Sequence, residues 1–173
     1  MQRNQLIIFP EPQIMEVGEG RLFLGSREKG NSVILLSEVK EELQAYAGEI
    51  IKRSIAESIV GKDSCAIAEK DEGETEKIII SLERVPCNFS FGEDVINSDQ
   101  AYILEVSKNI ISIKAKSAAG FLYAAQTFKQ LLELEDETLY FPVVKIIDWP
   151  QFKYRGLYME SKWGPDLMTL DDW

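Results

Sequence analysis

Apolar side chains recur along this chain with two periods, and the switches between them mark its elements. The sharpest stretch is Ala101–Ala115, where apolar and polar positions alternate as in a half-buried strand pair. A two-residue turn at Lys108-Asn109 pairs Val106 with Ile111, Leu104 with Ile113 and Tyr102 with Ala115, which puts all six side chains on one face. Glu105 with Ser112 and Ile103 with Lys114 then fall on the other face. Strand side chains alternate, so a one-residue slip would mix the faces; the register is nearly forced.

Helical spacing dominates two other stretches. Val39, Leu43, Tyr46, Ile50, Ile51, Ile55 and Ile59 form an apolar face for a helix over about 37–60, with Ser37 as N-cap and Gly61 as stop. Glu38, Glu41 and Glu42 suit its positive end. A second helix over about 117–134 starts at Ser117 and lays Phe121, Leu122, Ala125, Phe128, Leu131 and Leu132 on the hairpin. The small patch Ala118-Ala119-Gly120 allows a close approach. Gln13–Val17 and Arg21–Gly25 read as short strands around a Gly18-Glu19-Gly20 turn, after a lead-in stiffened by Pro10 and Pro12. Ile78–Leu82 is a short buried strand, 86–99 is a loop, and Leu139–Ile147 is extended. Asp148-Trp149-Pro150 marks a boundary, since proline biases its predecessor away from helix. Phe152–Glu160 then reads as a strand without a partner. The order predicts an α+β fold, a largely antiparallel or mixed sheet with two helices on one face.

Composition narrows the chemistry. Of 173 residues, 45% are hydrophobic, enough for a real core, and the net charge of −10 disfavours nucleic acid, which needs a basic face. The chain has no His, which removes Ser-His-Asp and Cys-His nucleophile systems, His-ligated zinc and the zincin His-Glu-x-x-His helix. Cys65 and Cys87 cannot form a four-cysteine metal site; two such scattered thiols read as reduced and buried, with a single disulfide as the alternative. No apolar run approaches the roughly 20 residues that span a bilayer. These features lead us to expect no metal, no cofactor, no membrane partner and no nucleic-acid partner. A cytoplasmic location is expected if Met1 is the native start, and secretion if an export signal once preceded it.

Three ordered pieces carry a resemblance. Tyr102-x-Leu104-x-Val106 is followed by Ile111-x-Ile113-x-Ala115, then by Gly120-Phe121-x-Tyr123-Ala124-Ala125-Gln126-Thr127-Phe128-x-Gln130-Leu131-Leu132. With the opening Ile8-Phe9-Pro10-Glu11-Pro12 and the run Ile147-Asp148-Trp149-Pro150-x-Phe152-x-Tyr154-Arg155-Gly156-Leu157, they resemble the N-terminal, zincin-like domain of β-N-acetylhexosaminidases of glycoside hydrolase family 20. Related domains precede the barrels of O-GlcNAc hydrolases and α-glucuronidases. The likeness implies an accessory domain over 1–149 and the start of a (β/α)₈ catalytic barrel over 150–173, with Phe152–Glu160 as its first strand. Family members carry an Asp five residues after the Arg and then a Ser-Arg-His-like stretch; this chain has Glu160 followed by Ser161-Lys162-Trp163.

The resemblance also implies the roles. In such enzymes the substrate's acetamido oxygen attacks the anomeric carbon, steered by an Asp beside a Glu acid that lies deeper in the barrel. The pairs Asp71-Glu72 and Asp136-Glu137 do not follow a barrel strand and read as solvated surface, so no catalytic residue is expected here. Arg155 matches the arginine that binds hydroxyls of the terminal sugar; the alternative is a solvated Arg paired with Asp148 or Glu160. Trp149, Trp163 and Trp173 suggest either a sugar-stacking platform or, the reading we favour, Trp149 at a domain junction with the other two in the barrel; Tyr123 is open to the same two readings. The expected partners are a catalytic barrel absent from this chain and, in the longer enzyme, a carbohydrate substrate. The rival reading is a stand-alone glycan- or protein-binding module.

Overall fold

The computed structural model describes residues 6–26, 32–37, 42–58, 67–68, 77–136 and 138–156. Its elements are β1 (Ile14–Ser26), β2 (Ser32–Ser37), α1 (Glu42–Ser58), β3 (Ile67–Ala68), β4 (Lys77–Arg84), β5 (Tyr102–Val106), β6 (Ile110–Ala115), α2 (Ala118–Leu131), β7 (Glu133–Glu135) and β8 (Thr138–Asp148). One mixed sheet runs β1-β8-β5-β6-β4-β2-β3, with β7 also paired to β8. The half from β1 to β6 is antiparallel, and the half from β6 through β4 and β2 to β3 is parallel.

The β5–β6 hairpin has the expected register, Tyr102 opposite Ala115, Leu104 opposite Ile113 and Val106 opposite Ile111. Its apolar face is fully buried, together with Phe121, Ala124, Ala125, Phe128 and Leu131 of α2 and Ala47, Ile51 and Ile55 of α1. Both helices therefore share one core on one face of the sheet. Ser117 caps α2 from extended backbone, its Oγ accepting from the Gly120 amide at 3.5 Å. Gly120 lies so close to the hairpin that a Cβ there would stand 2.6 Å from the Ala101 carbonyl oxygen and 2.9 Å from the Ala115 Cβ. A second cluster on the other face joins Val85, Phe91 and Ala101 to Ile103, Ile147 and Trp149.

Several expectations are corrected. Residues 13–25 do not form a hairpin: β1 is one strand along β8 with a bulge, Val17 facing Val144 and Arg21 facing Pro142. The glycines serve that bulge. Gly20 has φ +94°, and a Cβ on Gly18 would stand 2.7 Å from Val143 Cγ1. Ser37 is the last residue of β2 rather than a helix cap. Val33-Ile34-Leu35-Leu36 pairs in parallel with β4 on one side and, in part, β3 on the other, and such strands read as unbroken apolar runs without period. In α1 the buried face is Ala47, Ile51, Ser54 and Ile55, while Tyr46 is 59% exposed. Each helical residue turns about 100°, so a position one step from the buried row looks outward. Val39, Ile59 and the side chain of Leu43 lie outside the described residues. Cys87 is exposed rather than buried, and Cys65 lies outside the described residues. Residues 151–156 are not strand; the rest of the expected Phe152–Glu160 strand, Glu160 itself, Trp163, Trp173 and the pair Asp71-Glu72 lie outside the described residues.

Candidate functional site

The sheet delivers its last described segment to a cleft. Strand β8 ends at Asp148, and the segment that follows it runs beside the lead-in before β1 and beside Tyr123, Gln126, Thr127 and Gln130 of α2. These three stretches enclose a cleft of about 580 Å³. Aromatic rings from Phe9, Tyr123, Trp149 and Phe152 and amides from Gln126 and Gln130 line it.

A polar network closes its floor. The Tyr102 hydroxyl bonds the Thr127 hydroxyl at 2.5 Å and donates to Asp148 Oδ2 at 3.2 Å. The other Asp148 oxygen accepts the Gln13 amide at 3.2 Å, and Phe9 N donates to Gln130 Oε1 at 2.9 Å. This ties the lead-in, α2 and the end of β8 together. Burial, and then the neighbouring Asp148 carboxylate, push the Tyr102 phenol well above its ordinary value, so it stays a neutral donor.

Arg155 stands exposed at the rim. Its Nη1 donates to the Phe152 carbonyl at 2.6 Å, and its Nη2 donates to Tyr123 Oη at 2.5 Å and to Gln100 Oε1 at 3.2 Å. The guanidinium carbon sits 5.2 Å from the Tyr123 ring centroid, within cation–π range. The expected alternative pairing with Asp148 is not formed: Arg155 bonds Phe152, Tyr123 and Gln100, while Asp148 accepts from Gln13 and Tyr102. Trp149 packs half-buried on the second core cluster. Asp136 is exposed at the tip of the β7–β8 hairpin with φ +48°, and Glu137 lies outside the described residues.

Sequence reasoning missed Tyr102, Thr127 and Asp148 as a unit, and Asn97 and Gln100 altogether. The first had a signal, since Tyr102 and Thr127 put hydroxyls on faces that are otherwise apolar. Chemically, the cleft offers aromatic surfaces, amide donors and acceptors, and one oriented guanidinium. Among the described residues no group of three or more His, Cys, Asp or Glu could hold a metal, and no helix is long and apolar enough to cross a membrane.

Comparison with known proteins gives a consistent picture. The family model "Glycosyl hydrolase family 20, domain 2" matches residues 5–149. A "Beta-N-acetylhexosaminidase" of Cellulomonas fimi is 37% identical over 81 residues, 46% of this chain and 16% of that protein. The chitobiase of Flavobacterium johnsoniae superposes with a TM-score of 0.63 at 27% identity, over 91% of this chain and 23% of that one. The exo β-N-acetylglucosaminidase of Vibrio harveyi has the same fold, with a TM-score of 0.59 at 23% identity over 86% of this chain and 20% of that one. The chain thus spans roughly a fifth of the length of these relatives.

Proposed function

The chain belongs to glycosyl hydrolase family 20 through that family's domain 2, and from this premise we propose that it is a non-catalytic scaffold on which a β-N-acetylhexosaminidase barrel is seated. The accessory unit is residues 1–149, and 150–173 begin the barrel. The family match ending at residue 149 supports that division. The observation that carries the reading is the set of bare aromatic side chains on the lead-in and on the segment that leaves the sheet. Phe9 is 82% exposed, Phe152 69% and Tyr154 85%. Rings left so open beside a cleft are the usual mark of an interface with another folded unit. Carbohydrate enters the reading through Arg155, taken as a contact to hydroxyls of the terminal sugar in the longer enzyme.

The test is an activity assay. The purified 173-residue chain should leave 4-nitrophenyl N-acetyl-β-glucosaminide at the buffer rate. Measurable turnover overturns the scaffold reading. In the longer gene product, Arg155→Ala should lower kcat/KM at least about fivefold, equivalent to ~1 kcal/mol of transition-state contact. A change within about twofold removes the sugar contact.

A second reading has its own observation. The cleft mixes aromatic rings with amides, a surface suited to neutral sugars, and so fits a stand-alone glycan-binding module. Titration of the chain with N-acetylglucosamine oligosaccharides separates the two: saturable binding favours the module, and its absence favours the seat.

A further inference from the structure

Residues 149–156 have no regular secondary structure, and 151–156 are exposed, yet their path is pinned by side chains from elsewhere. Asn97 Nδ2 donates to the Pro150 carbonyl at 2.8 Å and Gln100 Nε2 to the Lys153 carbonyl at 3.1 Å. We propose that the turn Asn97–Gln100, together with Tyr123, is a clamp that fixes the exit of the chain and aims Arg155, so that Asn97, Gln100 and Tyr123 are positioning residues for the sugar contact. The proposal rests on that reading of Arg155 and deepens it.

The clamp is itself held rigidly. Asn97 adopts φ +50°, a left-handed conformation that asparagine tolerates better than most side chains, and its carbonyl accepts the Gln100 amide at 2.8 Å. Two residues just before α2 tie the turn down: Ser117 Oγ donates to the Asp99 carbonyl, and Lys116 Nζ donates to Ser98 Oγ at 3.2 Å. The turn is thereby fastened to the start of the helix whose second turn carries Tyr123.

Gln100 works in both directions. Its Nε2 grips the exit backbone while its Oε1 accepts from Arg155 at 3.2 Å and from Tyr123 Oη at 3.4 Å. Tyr123 adds its ring beneath the guanidinium and accepts from Nη2. A guanidinium carries five N–H donors, and these three bonds leave the Nε–H and one Nη1–H for a ligand. A hydroxyl-binding arginine gains most when its plane is set beforehand, because the ligand then need not order it.

Two measurements test this and separate it from the sugar-contact reading. The first needs no activity. Trypsin cuts after Lys153 and Arg155 only when the exit segment leaves its clamp. In the 173-residue chain, Asn97→Gly (which keeps the left-handed backbone) and Gln100→Ala should each speed those two cuts at least about fivefold, while cuts after Lys114 and Lys145, inside strands, keep their rate. Unchanged cutting at Lys153 and Arg155 overturns the clamp, and so does equal acceleration at the strand sites, which would mean the turn holds the domain and not its exit. The second uses the longer gene product and 4-nitrophenyl N-acetyl-β-glucosaminide. Tyr123→Phe and Gln100→Ala should raise KM about three- to tenfold with kcat within twofold, and should add nothing in an Arg155→Ala background. Full additivity in that background overturns the positioning role. If Arg155→Ala alone changes nothing, the sugar contact has failed, and the trypsin result decides the clamp by itself.

Discussion

Gly120→Ala is a sharp test of how this core is built, because two effects of opposite sign meet at one atom. In an exposed helix the substitution stabilises by about 1 kcal/mol, since alanine loses less backbone freedom than glycine. Here the new methyl would stand 2.6 Å from the Ala101 carbonyl oxygen and 2.9 Å from the Ala115 Cβ. Neither neighbour is the loose end of a long side chain: one is backbone just before β5, the other a methyl at the end of β6. Helix α2 would have to lift by several tenths of an ångström from a hairpin whose contact face is fully buried. Overpacking of this kind costs about 1–3 kcal/mol, and two hard contacts place it near the top of that range. The net expectation is a loss of about 2 kcal/mol, or roughly 4–8 °C in Tm for a chain of this size. Thermal unfolding followed by circular dichroism measures it, with Ala119→Gly as a neighbour control that should show only the ordinary helix penalty. A Gly120→Ala protein with unchanged or raised Tm refutes the close-approach argument.

Removing the hydroxyl in Tyr102→Phe should destabilise by about 1–2 kcal/mol in urea unfolding, because the Thr127 hydroxyl loses its buried partner. The same phenol gives an alkaline signature. Its folded pKa is raised by burial, so its contribution is complete below the unfolded value near ~10 and is lost as pH climbs past it, at up to ~1.4 kcal/mol per pH unit for one proton. Tyr102→Phe should therefore show a shallower loss of stability above pH ~10, and equal slopes would refute the burial argument. Ser117→Ala should cost about 1 kcal/mol by freeing the Gly120 amide, measured as a shift in urea midpoint at constant m-value.

What the sequence made legible follows from which signals the fold leaves in the letters. The β5–β6 hairpin could be read to the residue because alternation, a two-residue turn and a buried face all demand one register. Helix α2 was legible because its cap, small patch and apolar stripe agree. Strand β2 was not, because its parallel neighbours remove the alternation that betrays a half-exposed strand. Ile67-Ala68 is too short to carry any period, and Glu133-Leu134-Glu135 pairs at a polar edge, where a strand resembles the frayed end of the helix before it. In β1, Gly18 and Gly20 suggest a reversal, yet the same freedom of backbone also makes a bulge. Only the partner strand distinguishes the two.

The candidate site was far less legible, for a physical reason. Arg155 could be found only through its likeness to a family, since an exposed arginine after Tyr154 carries no period and no motif of its own. The residues that hold it act on main-chain carbonyls or across long separations: Asn97 reaches Pro150, 53 residues away, and Gln100 reaches Arg155 at 55. A carbonyl has no letter in the sequence, so no pattern can announce that an amide will be spent on it. Tyr102, Thr127 and Asp148 are different, because each is a polar group at a position where apolar neighbours should win. Asp148 closes that network at the last residue of β8, so the group that ends the sheet also sets where the exit begins. A hydroxyl on an otherwise apolar face has to find a partner or cost stability, and here the partner is the carboxylate at which the chain turns away from its own core.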